Sequence, residues 1–592
     1  MLTNKMIGSA VKIGVLCSLI LPMIAVHASP LKQKSAERAE AKAYNFTPKD
    51  QGWKKLTLRE KIGQTMIILI ENEHDTNRYG SIEEMIKKYP ISGVFAPPWR
   101  FSAHKPESDV VPNILRTLQP YVDASRFPLI ISEDFELGVG DAYHDFTSMP
   151  SEMALGAANQ QELSRRYGEV VAREAKALGV NWLLNPVVDL NVNPLNALVG
   201  TRAIAGNVER AYPLLKSQLA GLSQQRVIST IKHFPGDGVS MKNQHFTTSS
   251  NTLSMAEWNA SFGSMYQKLI NDGAPSIMVG HMNFPAYQKE TIKGLLPPAT
   301  LSREILVDLL KGEMQFNGVV MSDALNMGGI GGFYRDTQEI AIQAFKAGVD
   351  MLLWPKLEFM DEMEARILSG EIPMSRLDDA VERIWGVREQ YGLLDKPPVF
   401  YSELSDKDIA VHKSVPLEIT QKSVTLVSDM YSEIPITSEK YKKIALISIG
   451  YDNISAEMTY LIDLLRAKGF DVSETIHNPH PYEWQHKLEY FDQFDKVIVA
   501  FCDCVFSPPG SAMLKGDPAI ATWTVNLIPT EKLIAMSFGN PYYVNYYLNK
   551  APIKINTYSR HPQSGNAVID ALVGDIPFVG TSPVNLNSVI LQ

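Results

Sequence analysis

Cysteine is almost absent from this chain, with 3 residues among 592. Cys17 lies in an apolar run near the N terminus, and Cys502 and Cys504 stand two residues apart. So few thiols exclude the disulfide framework of a small secreted domain. Because side chains at i and i+2 of a strand share a face, we interpret Cys502 and Cys504 as two buried thiols rather than as half of a zinc site.

An excess of positive charge is also missing. The chain has 56 Lys and Arg against 65 Asp and Glu, a formal net charge of −9 at pH 7. No stripe of Lys or Arg alternates with aromatic residues. Proteins that bind nucleic acid or an anionic membrane surface carry such a basic patch. The composition therefore predicts neither of these partners.

Long apolar runs are equally scarce, and the one that stands out is close to the N terminus. It covers residues 13–26, follows Lys5 and Lys12, and is short for a transmembrane helix. Small residues at Val26 and Ala28 match the spacing that signal peptidase reads. We predict that residues 1–28 are a signal peptide, that the protein is exported to the periplasm or the medium, and that no stable membrane insertion remains after cleavage. An uncleaved anchor is the alternative.

Short apolar runs alternate with longer amphipathic stretches from about residue 56 onward, which is the pattern of a parallel α/β fold. Eight such runs predict strands: 65–70, 93–96, 128–132, 180–184, 229–232, 276–279, 318–321 and 350–354. Helices are predicted between them, including 82–89, 161–178, 255–270, 303–314 and 337–347. Eight strand–helix units predict a (β/α)8 TIM-type barrel, although a doubly wound sheet would give the same order.

Polar residues at the strand ends favour the barrel. A barrel gathers its chemistry at the carboxyl ends of many strands, whereas an open sheet concentrates it at one switch point. Here polar residues follow most of the predicted strands, and they include Glu133, Asp134, Asn185, Lys232, His233, His281, Ser322 and Asp323.

A second domain is predicted after the barrel. We place a linker at 29–55, the barrel at 56–395, a second linker at 396–425 and a smaller α/β sandwich at 426–592. The strands predicted in the sandwich are 444–449, 497–501, 533–538 and 553–557, with helices at 457–467 and 566–573. No glycine-rich phosphate loop follows its first strand, so nucleotide binding is not supported and no cofactor is predicted.

Five sequence blocks carry the most specific signal. The first two are Lys-His-Phe-Pro-Gly-Asp-Gly at 232–238 and Gly-Val-Val-Met-Ser-Asp at 318–323. The others are Pro-Leu-Ile-Ile-Ser-Glu-Asp-Phe-Glu at 128–136, Asn-Pro-Val-Val-Asp at 185–189 followed by Arg202, and Ile-Met-Val-Gly-His at 277–281. Together they resemble glycoside hydrolase family 3, particularly its β-N-acetylglucosaminidase branch. The resemblance covers about residues 56–395 and, more weakly, 426–592.

The resemblance implies roles for particular residues. A retaining glycosidase needs one carboxylate that attacks the anomeric carbon, and Asp323 fits this role, with a helix cap as the alternative. Asp134 is implied to accept a hydrogen bond from a sugar hydroxyl. Arg202, Lys232, His233 and His281 are implied to line the substrate site. For Lys232 and His233 the alternative is a buried ion-pair network.

The acid/base residue is the point at which this chain departs from the family pattern. The N-acetylglucosaminidase branch has a histidine on the loop after the fifth strand and an aspartate two residues earlier. Here the loop reads Lys242-Asn243-Gln244-His245. His245 is present, and the Asn243 oxygen can orient its imidazole but supplies no negative charge. In residues 426–592 no motif identifies a carboxylic acid that could act instead.

Two further features leave alternatives open. Glycine-rich residues 328–332 follow Asp323 and predict either a mobile flap over the sugar or a plain flexible loop. His477, His480 and His486 lie in a loop-like stretch with irregular spacing, so we interpret them as surface histidines and predict no metal.

We therefore predict an exported retaining β-N-acetylhexosaminidase that acts on cell-wall (muropeptide) or chitin-derived oligosaccharides. A β-glucosidase or β-xylosidase of the same family is one alternative. Another resolves the covalent intermediate with phosphate, since a histidine does not repel an anion as a carboxylate does. A sugar-binding protein with impaired catalysis is the alternative from a different class.

Overall fold

The computed structural model describes residues 45–98, 110–395, 404–451, 455–502 and 512–588. Its first sheet has eight parallel strands: β1 Met66–Leu69, β2 Gly93–Phe95, β3 Ile130–Glu133, β4 Trp182–Leu183, β5 Ile228–Phe234, β6 Ser276–Val279, β7 Val319–Ser322 and β8 Leu352–Leu353. They are hydrogen-bonded in the order β8-β1-β2-β3-β4-β5-β6-β7. A parallel bridge between Met321 and Met351 joins the two ends of this order. The predicted barrel is confirmed, and the open sheet is excluded.

The core of the barrel follows from the two-residue period of its strands. In β1, Ile67 points inward, whereas Met66 and Ile68 pack against the surrounding helices. The indole nitrogen of Trp182 donates to the hydroxyl of Thr230 at 2.7 Å inside the barrel. Apolar side chains thus fill the interior and leave only its mouth for chemistry.

Helices surround the barrel. They are Leu58–Gln64, Asn72–Tyr79, Ile82–Lys88, Val110–Ala124, Glu152–Ala158, Gln161–Ala177, Val208–Gln224, Met255–Ala260, Phe262–Asn271, Thr337–Ala347, Phe359–Leu368 and Met374–Tyr391. The helix predicted at 255–270 is two helices, because the hydroxyl of Ser261 donates to the carbonyl of Glu257 and its backbone leaves helical geometry. The segment Glu304–Glu313 is a π-helix.

The second sheet forms the predicted sandwich. Its strands are β9 Thr425–Asp429, β10 Lys443–Gly450, β11 Asp471–Val472, β12 Ile476–His477, β13 Lys496–Cys502, β14 Leu533–Ser537 and β15 Ile553–Asn556. The main order is β9-β15-β14-β13-β10-β11, and β12 also pairs with β10. Helices cover it, with Ser455–Ala467 and Pro562–Val573 on one face and Asp517–Val525 and Tyr543–Tyr546 on the other. Cys502 is buried at the end of β13, and Cys504 lies outside the described residues.

Both predicted linker ranges contain residues that pack against the barrel domain. Residues Asp406–Ser423 form a helix that begins with a capping box between Ser405 and Asp408. The buried His412 of this helix contacts Glu174 of the barrel domain at 2.8 Å. In the first linker, Phe46 and Trp53 are buried against the barrel domain. The sequence missed these contacts because both segments are polar overall and their partners lie far along the chain.

The predicted signal peptide lies outside the described residues, as do residues 29–44 of the first linker. In the part of the chain that is described, no helix has the length and apolarity needed to cross a membrane.

Candidate active site

Asp323 stands at the mouth of the barrel, directly after β7. Its amide continues the ladder by donating to the carbonyl of Val279 at 3.0 Å. One carboxylate oxygen accepts the amide of Ala324 at 2.7 Å, and the other lies 4.0 Å from His233 Nε2. Burial by itself raises the pKa of Asp323, but His233, His281 and the Ala324 amide outweigh burial and hold this pKa below its ordinary value. Asp323 is thus an ionised carboxylate at neutral pH.

His233 is fixed on its other side by a buried carboxylate. Its Nδ1 lies 2.7 Å from Asp189 Oδ2, and Asp189 Oδ1 accepts the backbone amides of His233 and Asp237. Asp237 follows four residues later, and burial beside Asp189 raises its pKa to about 6. Asp189 therefore orients the His233 ring so that Nε2 points toward Asp323.

A compact ion network lies at the ends of β3 and β5. Lys232, whose side chain is 3% exposed, contacts Asp134 Oδ1 at 2.6 Å and Glu136 Oε1 at 2.7 Å. Arg202 donates to both oxygens of Glu136, at 2.8 and 2.7 Å. Lys232 thus belongs to a buried ion-pair network. Asp134 is 45% exposed, so its carboxylate also faces solvent.

Glu136 is the member of this network for which the sequence predicted no role. Burial raises the pKa of Glu136, but Arg202 and Lys232 together hold it well below its ordinary value. The only indication in the sequence was its position two residues after Asp134, at the end of the block 128–136. Its pairing with two cations, 66 and 96 positions away, depends on the fold.

His245 is held in one orientation by Asn243. The backbone amide and Nδ1 of His245 both lie 2.9 Å from Asn243 Oδ1. Because a backbone amide can only donate, this atom of Asn243 is the acceptor for both contacts and Nδ1 carries a proton. Nε2 is therefore the ring nitrogen of His245 that can gain or lose a proton while the contact with Asn243 is kept. The predicted orienting contact of Asn243 is present.

The surroundings of His245 disfavour its charged form. Burial is the main factor that lowers its pKa below the ordinary value of about 6.5, and Arg202 and two neighbouring histidines add to it. Asp323 acts in the opposite direction. The carboxylate of Asp323 thus offsets part of the effect of burial on the pKa of His245.

His281 follows β6, as predicted, and its side chain is buried in the wall of the site. It has no exposed surface. Its Nδ1 lies 2.9 Å from Thr300 Oγ1, and its Nε2 lies 2.9 Å from the carbonyl oxygen of Ala324. Both ring nitrogens of His281 are therefore used inside the protein, where they hold the backbone beside Asp323.

Within the described ranges, no group of three or more His, Cys, Asp or Glu side chains could hold a metal ion. His477 contacts Ser448 Oγ at 3.1 Å, and His480 caps the short helix Pro481–Trp484.

The second domain reaches the loops that carry the site. Tyr542 donates to Asn191 Oδ1 at 2.8 Å, and Asn191 Nδ2 donates to the carbonyl of Gly200 at 3.0 Å. Gly200 begins the 3₁₀ turn Gly200–Arg202. The second domain thus supports the loop from which Arg202 extends.

The fold and site together define a class of protein. An ionised carboxylate at the mouth of a TIM barrel, beside cations and acceptors suited to a polyol, is the arrangement of a glycosidase.

Comparison with known proteins agrees with this class. Residues 57–387 match the model of the glycosyl hydrolase family 3 N-terminal domain. A β-N-acetylglucosaminidase/β-glucosidase of Cellulomonas fimi is 30% identical over 494 residues, which are 79% of this chain and 86% of that protein. The solved structure of the β-glucoside phosphorylase BglX bound to 2FGlc is 27% identical with a TM-score of 0.77, over 90% of this chain and 95% of that one.

A family 3 β-N-acetylglucosaminidase from Paenibacillus sp. str. FPU-7 is similar at 27% identity and a TM-score of 0.74, over 90% of this chain and 99% of that one. The chain belongs to glycoside hydrolase family 3 and is a glycosidase.

Proposed function

We propose that this enzyme removes terminal β-linked N-acetylglucosamine-type residues from cell-wall or chitin-derived oligosaccharides, with retention of configuration. The observation that carries the proposal is His245, whose ring Asn243 orients on a loop that is hydrogen-bonded to the segment after Asp323. The similarity to enzymes described as β-N-acetylglucosaminidases supports the same substrate class.

In the first step, a carboxylate oxygen of Asp323 attacks the anomeric carbon and the glycosidic C–O bond breaks. His245, protonated on both nitrogens, transfers the Nε2 proton to the leaving oxygen. A glycosyl-enzyme ester and the free aglycone result. The low pKa of Asp323 keeps the nucleophile ionised for this attack.

In the second step, neutral His245 takes a proton from water through Nε2, and the oxygen of that water attacks the anomeric carbon. The ester bond to Asp323 breaks, and the sugar leaves with its original configuration. Asp134, Lys232 and Arg202 are suited to bind the sugar hydroxyls throughout, since they combine one acceptor with two donors.

The experiment is a comparison of chromogenic substrates. The N-acetyl-β-glucosaminide should be cleaved well and the matching β-glucoside poorly, and Asp323→Asn should abolish the activity. Asp308→Asn on the exposed face of the segment Glu304–Glu313 is the matched control and should leave activity unchanged. Cleavage of the β-glucoside or β-xyloside alone would refute the N-acetyl specificity.

Phosphorolysis is the second candidate, and Asn243 favours it. A neutral amide beside His245 leaves the acid/base site without the negative charge that repels an anionic acceptor. The similar structure of a β-glucoside phosphorylase supports this reading. Added phosphate should then speed turnover and yield the sugar 1-phosphate. If turnover is unchanged and free sugar is the sole product, water is the acceptor.

Export of the enzyme belongs to the same proposal. The N-terminal apolar run and the small residues that follow it support cleavage after residue 28. Mass spectrometry of the protein recovered from the periplasm or medium should show a chain that begins at Ser29. Recovery of the full-length chain from the cytoplasm would contradict export.

A further inference from the structure

The glycine-rich loop after β7 contacts the loop that carries His245. The amide of Gly328 donates to the carbonyl oxygen of His245 at 2.8 Å, and the amide of Gly329 donates to that of Gln244 at 3.0 Å. The hydroxyl of Thr248 donates to the carbonyl oxygen of Gly329 at 2.7 Å. Three hydrogen bonds therefore join the two loops next to the imidazole.

A fourth contact lies beneath the loop. The side chain of Gln244 is fully buried, and its Oε1 accepts the backbone amide of His281 at 2.5 Å. His281 in turn contacts the carbonyl oxygen of Ala324, the residue after Asp323. The loop of the acid/base candidate and the end of the nucleophile strand are thus joined through one set of contacts.

The close approach of the loops requires glycine at two positions. A Cβ on Gly329 would lie 2.4 Å from the carbonyl oxygen of Gln244, and one on Gly328 would lie 2.5 Å from that of Phe246. These are backbone atoms, so the loop itself would have to move. A Cβ on Gly331 would meet nothing nearer than 3.5 Å. The absence of a side chain at Gly328 and Gly329 therefore allows the two loops to pack closely.

We propose that Gly328 and Gly329 are positioning residues. They hold His245 where its Nε2 is within hydrogen-bond distance of the leaving oxygen. This inference rests on the proposed acid/base role of His245. Proton transfer needs the donor within hydrogen-bond reach, and a shift of about 1 Å can cost about 100-fold in rate. The loop acts as a fixed support, whereas a mobile flap would have to break these contacts in every turnover.

The test uses aryl N-acetyl-β-glucosaminides that differ in leaving group. A good leaving group departs without a proton, whereas a poor one needs the acid. Gly329→Ala should lower kcat/KM about 100-fold with the poor leaving group and only a few-fold with the good one. Gly331→Ala, in the same loop, should keep both activities. Equal losses of Gly329→Ala on both substrates, or no loss on either, would overturn the proposal.

Thr248 supplies a second test that adds no atoms to the interface. Thr248→Val should give a smaller loss with the same preference for poor leaving groups, and Thr248→Ser should restore activity. If Thr248→Ser is as impaired as Thr248→Val, the hydroxyl contact with Gly329 is not what holds the loop, and the proposal fails.

His245→Ala separates this proposal from the one on which it rests. If His245→Ala shows no dependence on the leaving group, the acid/base assignment is wrong and the positioning proposal falls with it. If His245→Ala shows the dependence but Gly329→Ala and Thr248→Val do not, the acid/base assignment stands and only the positioning proposal is wrong.

Discussion

At residue scale, Asn243 orients the ring of His245 without stabilising its positive charge, whereas an aspartate would do both. Its Oδ1 accepts from Nδ1 of His245 and so orients the ring. Burial lowers the pKa of His245 below its ordinary value, and Asn243 brings no charge that would offset this effect. The ring is correctly placed but holds its second proton weakly.

Asn243→Asp should raise the pKa of His245, because a carboxylate 2.9 Å from Nδ1 stabilises the imidazolium. We expect kcat/KM on poor leaving groups to rise by about 10-fold and to persist to higher pH. The measurement is a pH–rate profile of both proteins. Asn243→Ala, which removes the acceptor, should lower the same rate. An unchanged profile in Asn243→Asp would show that His245 is not the group that titrates.

The wild-type pH profile has two predicted limbs. The pKa of Asp323 is lowered, so the nucleophile remains ionised as pH falls until a value below the ordinary one for aspartate, and activity is lost only there. The pKa of His245 is lowered, so its acid form and kcat/KM decline as pH rises through a value below about 6.5. The profile of kcat/KM should therefore peak at acidic pH. His245→Ala should remove the alkaline limb, and its persistence would assign that limb to another group.

Residue types and local order predicted that Asp323, Lys232 and His233 lie at strand ends and His245 on the loop after β5, and the structure has them there. They did not predict that His281, which also follows a strand, has no exposed surface. Motif position fixes which strand end a residue follows. Whether its side chain points to the mouth or into the wall depends on packing.

At the scale of elements, Glu136 joins the loop after β3 to the loop of Arg202 and to the end of β5. Glu136→Gln should destabilise the protein by up to about 3 kcal/mol, because it leaves two buried cations short of a carboxylate. It should also raise KM, because Arg202 and Lys232 lose their fixed positions. Urea unfolding and steady-state kinetics measure the two effects.

The matched control is Glu162→Gln. Glu162 pairs with Arg165 on the surface of Gln161–Ala177 and is 67% exposed, so its loss should cost less than about 1 kcal/mol and leave KM unchanged. If Glu136→Gln behaves like this control, the network does not order the site.

The eight barrel strands were predicted to within about two residues, because buried parallel strands read as short apolar runs. Helix details were less predictable. The break at Ser261 and the π-helix Glu304–Glu313 depend on side-chain contacts that hydrophobic periodicity does not contain.

At the scale of the whole molecule, the second domain supports the loop of Arg202. Tyr542→Phe removes the hydroxyl bound to Asn191, so the loop of Arg202 loses one support. A lost hydrogen bond of about 1 kcal/mol corresponds to about a 5-fold rise in KM, and kcat should change less. Steady-state kinetics on the N-acetyl-β-glucosaminide gives both constants.

Tyr543→Phe is the control for this prediction. Its buried hydroxyl donates to the carbonyl oxygen of Ala512 within the second domain. Tyr543→Phe therefore removes one hydrogen bond of the same kind, but not one that supports the Arg202 loop. An equal rise of KM in both variants would mean that the second domain acts through its general stability and not through Asn191.

The sequence by itself determined the eight-stranded barrel, the second domain, the glycosidase family and the nucleophile candidate, because each depends on local periodicity or on residues contiguous in a motif. Tertiary structure decided the rest. The burial of His281, the pairing of Glu136 with two distant cations, the docking of the His245 loop on Gly328 and Gly329, and the support from Tyr542 join residues far apart in the chain. Such contacts form only when the barrel closes and the second domain packs on it, so no local pattern encodes them.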